Sequence, residues 1–141
     1  MEESLPDTPS WRLADAVRLS SVLADHGVDL LDVSAAGNHH AQKFFFIRNA
    51  EAFQAHYSAA IKNSVGDKML VGVVGGIRNG NTAQRLLDAN QADVVFVGRW
   101  LQKNPALVWQ FAEDLGVQIS VAQQIEWPFR GRDSSVGRPR M

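Results

Sequence analysis

MLVGVVGGIRNGNTAQRLLDANQADVVFVGR, residues 69–99, decides the fold. Its two apolar runs, 69–74 (MLVGVV) and 93–97 (DVVFV), are too short for helices and rich in β-branched residues, as buried strands are. Between them Thr82, Ala83, Leu86 and Leu87 have the spacing of a short amphipathic helix. No hairpin signal joins the two runs. A strand, a helix and a second strand in that order imply a parallel pair linked by a right-handed crossover.

The same alternation extends outward. Upstream, Phe53, Tyr57, Ala60 and Ile61 fall at i, i+4, i+7 and i+8 and mark another helix. Before it, residues 28–33 (VDLLDV) are apolar on both faces except at Asp29 and Asp32, which predicts a third buried parallel strand. Leu13, Ala16, Val17, Leu23 and Ala24 predict a first helix over about residues 11–26, with Ser10 as its cap and Gly27 as its stop. Downstream, Asn104 reads as a helix cap with Pro105 at the first helical position. Val108, Phe111, Ala112 and Leu115 then repeat helically as far as Gly116.

Three organisational units follow: residues 1–9 as a flexible N-terminus, 10–129 as one folded unit, and 130–141, with four arginines among Gly, Ser and Pro, as a disordered basic tail. Three parallel strands are few. A parallel sheet needs both faces covered, and a closed eight-stranded barrel takes roughly 250 residues. The expected fold is therefore α/β, either a very small open sheet or part of something larger.

Composition excludes several classes of function. The chain has 141 residues, 45% of them hydrophobic and 21% charged, with 14 Lys+Arg against 15 Asp+Glu and a formal net charge of -1. There is no bulk electrostatic drive toward nucleic acid or an anionic membrane. Without cysteine, disulfides, thiolate metal sites and a cysteine nucleophile are impossible. An acidic start, with Glu2, Glu3 and Asp7, is unlike a secretory signal, and no apolar run approaches the ~20 residues of a membrane span. A cytoplasmic protein is expected.

The two strands of the opening stretch end alike, in Gly75-Gly76 and in Gly98-Arg99. Glycine lets backbone N–H groups approach an anion closely, and an arginine beside it adds a charged fork of donors. In (β/α)8 enzymes the loops after the seventh and eighth strands commonly hold a phosphate. Glycines used only as turn residues would give the same pattern, so both readings stand at this point. His39 and His40 are neighbours, share no face of a helix or strand and have no companion ligands, so a polar loop fits better than a metal site. Asp29 and Asp32 lie three apart on a strand and cannot act as a carboxylate pair.

Several stretches together resemble a family. They are Ser10-Trp11-Arg12, His26 through Ser34 (HGVDLLDVS), Gly37-Asn38-His39, Gln42-Lys43, Val73 through Ile77 (VVGGI), Ala92 through Arg99 (ADVVFVGR) and Asn104-Pro105. They are similar, collinearly over about residues 10–132, to the C-terminal part of NADH:flavin oxidoreductases, and more narrowly to the NADPH dehydrogenase branch of the old yellow enzymes. The resemblance implies strands six to eight of a TIM (β/α)8 barrel that holds FMN and takes reducing equivalents from NADPH. It implies that Gly75, Gly76, Gly98 and Arg99 contact the flavin phosphate.

It also implies what this stretch lacks. The family's catalytic tyrosine, its acceptor-binding pair and its grip on the flavin ring belong to strands one to five, so no catalytic residue is assigned and the chain alone is expected to be inactive. Ala35 and Ala36 stand where the family usually has glycines, and Trp127 stands where bacterial relatives carry an arginine. Two alternatives remain open. One is a non-catalytic half-barrel that self-associates or completes itself with a separate N-terminal part. The other is a different phosphate-binding α/β enzyme.

Overall fold

The structure, a computed structural model, describes residues 11–34 and 50–130. Six helices and three strands alternate along them. Helix α1 (Leu13–Asp25) leads into β1 (Leu30–Val33), α2 (Ala55–Val65) into β2 (Leu70–Val74), and α3 (Gly80–Asp88) into β3 (Val94–Phe96), followed by α4 (Arg99–Lys103), α5 (Leu107–Asp114) and α6 (Trp127–Arg130). The strands form one parallel sheet in the order β1-β2-β3, with Leu30 beside Leu70 and Gly72 beside Val94. The α/β fold with parallel strands is thus present as the alternation implies.

The helices start and stop for local reasons. At the end of α1, Gly27 takes φ +80°, its N–H donates to the Ala24 carbonyl and that of Val28 to Leu23, closing the last turn as expected. The start of α1 differs from expectation. Arg12 is the cap residue, and its backbone N–H donates to the Asp15 carboxylate at 3.0 Å. Ser10 lies outside the described residues, as do the stretches 1–9 and 131–141, Ala35, Ala36, Gly37, Asn38, His39, His40, Gln42 and Lys43.

The last long helix is also corrected. It begins at Leu107, after a turn in which Asn104 accepts from the Ala106 N–H at 3.0 Å, so Pro105 precedes the helix. The short α4 and α6 were not anticipated. Each is too brief to show a helical period.

Alternation along the strands sorts the sheet into two faces. Leu31, Val33, Val71, Val73 and Val95 share one of them. Val33 and Val71 pack with Ala24, Ile61, Val65 and Met69 from the side of α1 and α2. Val73 packs with Ala83, Leu86 and Ile77, with Val95 and Phe111 against that cluster. Among the described residues both packed clusters lie on this one face.

The opposite face carries Leu30, Asp32, Leu70, Gly72, Val74, Val94 and Phe96. There Leu30 is 40% and Leu70 49% exposed, and the Phe96 ring lies across Gly72, where a Cβ would strike it. The expectation that residues 28–33 form a fully buried strand is therefore corrected, because only the Val33 side of β1 is covered. An apolar pattern on both sides of a strand does not say which side has a neighbour.

Candidate functional site

The carboxyl ends of β2 and β3 lie side by side, because Val74 is the partner of Phe96. Gly76 and Gly98 each come two residues beyond that last pair. Neighbouring strands run about 4.8 Å apart, so the two glycine turns share one edge of the sheet. The structure brings together the four residues that the strand-end argument singled out.

The two turns are built differently. Gly75 and Gly76 have φ of +108° and +73°, a region that side-chain-bearing residues rarely enter. A Cβ on Gly75 would sit 2.8 Å from the Phe53 ring and from Gln54 Nε2, and one on Gly76 would strike the Ala50 carbonyl. This turn is pressed against residues 50–54. Gly98 is the opposite case: it is exposed, its φ is −95°, and a Cβ there would meet nothing within 4 Å. Room for a group to approach therefore lies on the Gly98 side.

Positive charge gathers at the same edge. Arg99 opens α4 and is exposed. The Arg78 guanidinium lies 5.7 Å and the Lys103 ammonium 5.5 Å from the centre of the Trp100 ring, within cation–π range. Trp100 Nε1 is buried without a hydrogen-bond partner among the described residues. Backbone amides of glycine turns beside guanidinium and ammonium groups form a donor set suited to a phosphate dianion.

Sequence reasoning missed the segment that holds the first turn. Gln54, 3% exposed, donates from Nε2 to the Val74 carbonyl at 2.8 Å, while its Oε1 is buried without a partner among the described residues. Glu51 accepts from Asn79 Nδ2 at 3.2 Å and from Thr82 Oγ1 at 3.0 Å. Asn79 caps α3 by accepting from the Thr82 N–H at 2.7 Å, and Asp114 accepts from the Gly80 N–H at 2.8 Å. Two N–H groups in the first turn of α3, those of Gly80 and Thr82, are therefore satisfied by side chains. No sequence signal marks Gln54, because its partner is twenty residues away.

The remaining candidates stay apart from this edge. His26 turns Nδ1 to the Val22 carbonyl at 2.8 Å, and His56 is exposed on α2 against Tyr57. Asp32 is exposed on the open face of β1. Trp109 stacks at 5.1 Å on Phe129, and Trp127 is 80% exposed. Among the described residues, no three His, Asp or Glu side chains cluster as a metal site would need, and no helix is long and apolar enough to cross a membrane.

Comparison with known proteins adds a second line of observation. No family model matches the chain. Over 123 residues it is 43% identical to a protein from Gibberella zeae named NADH:flavin oxidoreductase, covering 87% of this chain and 29% of that protein. It is 29% identical over 114 residues to a Bacillus subtilis protein named NADPH dehydrogenase, covering 81% of the chain and 32% of the relative. A Geobacillus protein of the same name is 32% identical over 117 residues, with 82% and 33% covered. The chain spans about a third of the length of the curated relatives it matches.

Proposed function

Because this chain matches part of the NADH:flavin oxidoreductases, the old yellow enzyme family, we propose that it forms strands six to eight of an FMN-dependent NADPH oxidoreductase barrel. The observation that carries the reading is the one-sided sheet. Strands in sequential order β1-β2-β3, with both packed clusters on one face and exposed Leu30 and Leu70 on the other, are what an arc of barrel wall would present. In a closed barrel the open face becomes the interior, filled by side chains of the other strands.

In this reading the carboxyl edge holds the flavin phosphate. Gly75, Gly76 and Gly98 offer backbone amides, and Arg99 offers a charged, planar fork. Gly98 stands in open space, so a phosphate can reach its backbone. FMN supplies the two-electron redox chemistry when bound, and this chain's residues hold its phosphate end. The resemblance implies that residues gripping the ring or protonating an acceptor lie outside this stretch, and on this reading the chain alone does not reduce enones.

Exposed Leu30 and Leu70 also favour a second reading, in which the wall completes itself with another copy or with a separate N-terminal part. The phosphate edge would serve either assembly.

Titration of FMN and riboflavin, followed by flavin fluorescence, tests the phosphate site. FMN should bind more tightly than riboflavin. Arg99→Ala should weaken FMN by about ten- to a hundredfold, as expected for a charge-assisted hydrogen bond, and leave riboflavin unaffected. Equal affinities for FMN and riboflavin would contradict the reading.

A further inference from the structure

We propose that Gln54 is a positioning residue for the phosphate end of the site: its side-chain amide holds the Val74–Gly75 peptide and thereby sets where the Gly75 N–H, the first donor of the Gly75-Gly76 turn, points. The inference rests on the phosphate reading above.

A peptide unit is planar and trans, so the Val74 carbonyl and the Gly75 N–H point in opposite directions within one plane. Whatever fixes the oxygen fixes the N–H. Gln54 Nε2 does so at 2.8 Å, from a side chain only 3% exposed. Glycine at φ +108° and +73° resists rotation of its peptide planes less than any other residue would, so this turn needs an outside constraint. The segment 50–54 supplies it at both ends, through Gln54 at Val74 and through Glu51 at Asn79 and Thr82. Between these two anchors Ala52 takes φ +48°, unusual for a residue with a side chain.

The other end of the same amide argues against a role in stability alone. Among the described residues Gln54 Oε1 is buried with no donor, an arrangement that weakens a fold. Methionine of the same length would lose the bond to Val74 and, with it, the orphaned oxygen, so the two effects oppose each other. What glutamine adds and methionine lacks is the direction imposed on one peptide.

The test compares the full chain with Gln54→Met and Gln54→Glu, using FMN and riboflavin titrations, thermal melting and amide hydrogen exchange at Gly75 and Gly76. Gln54→Met should bind FMN about three- to tenfold more weakly, the worth of one net hydrogen bond. Riboflavin binding should not change, and the midpoint should stay within about 2 °C. Exchange at the turn amides should quicken. In Gln54→Glu, burial against the Val74 carbonyl favours the protonated acid, whose O–H can still donate, so FMN binding should weaken as rising pH ionises it, which separates direction from size.

Unchanged FMN affinity with unchanged exchange would overturn the proposal. So would a lowered midpoint with equal losses for FMN and riboflavin, the signature of a purely structural residue. If the unsubstituted chain fails to distinguish FMN from riboflavin, the phosphate reading falls. In that case amide exchange still decides whether Gln54 holds the turn.

Discussion

Asp93 gives the clearest energetic prediction, because it ties three elements at the amino edge of the sheet, opposite the glycine turns. Its Oδ2 accepts from the Val71 N–H at 2.8 Å, and its Oδ1 lies 2.9 Å from Lys62 Nζ. Lys62 also donates to the Gly66 carbonyl at 2.9 Å, and Asp67, fully solvated, is 3.7 Å away. The two side chains differ in access to water, 5% exposed for Lys62 and 23% for Asp93. Asp93→Ala leaves a buried ammonium without its near carboxylate and the Val71 N–H without an acceptor.

Breaking a buried pair in this way is destabilising by roughly 3–5 kcal/mol, a large part of the ~5–15 kcal/mol that holds a domain together. Lys62→Met is milder, about 1–2 kcal/mol, since Asp93 keeps Val71 and still reaches solvent. The double variant removes the stranded charge and should recover part of the loss of Asp93→Ala. Urea unfolding followed by circular dichroism measures all three. If Asp93→Ala proves no worse than Lys62→Met, or the double variant is the least stable, the assignment of the cost to an uncompensated Lys62 charge is refuted.

Two further outcomes follow from exposed groups. Leu70→Ser, on the open sheet face, should leave the unfolding midpoint of the chain nearly unchanged and raise its solubility; a loss of several degrees would show that the face is already covered. The Asp25–Lys68 pair holds the Asp25 carboxyl below its ordinary range, first through their hydrogen bond and then through charge, and raises Lys68 for the same reasons. Its contribution is therefore present between the ordinary carboxylate and ammonium values. It fades as pH falls through the lowered Asp25 value or rises through the raised Lys68 value. Both side chains are exposed, so Asp25→Asn should melt like the unsubstituted chain at neutral pH, and a clear drop would contradict this.

Legibility varied with the range of the interaction. Runs 69–74 and 93–97, with a helix between them, encode a parallel crossover locally, and Gly27 encodes a helix stop through its own backbone freedom. The start of α1 at Arg12 depends on Asp15 three residues on, and α4 depends on Gly98 ending β3, so boundaries shifted where short-range contacts competed. One-sided cover of the sheet was not legible at all. Leu30 and Leu70 look like core residues in sequence, and only the register with their neighbours shows them on the open face. Likewise the strand-end glycines and Arg99 could be read directly, whereas Gln54, acting across twenty residues, could not.

The proposal that this chain is the phosphate-holding wall of a larger flavin barrel is tested by recovering the native protein from its own cells with an antibody against residues 81–91 and measuring its mass and bound flavin. The expected result is an assembly well above 15.5 kDa that carries FMN. A flavin-free monomer at 15.5 kDa would contradict it.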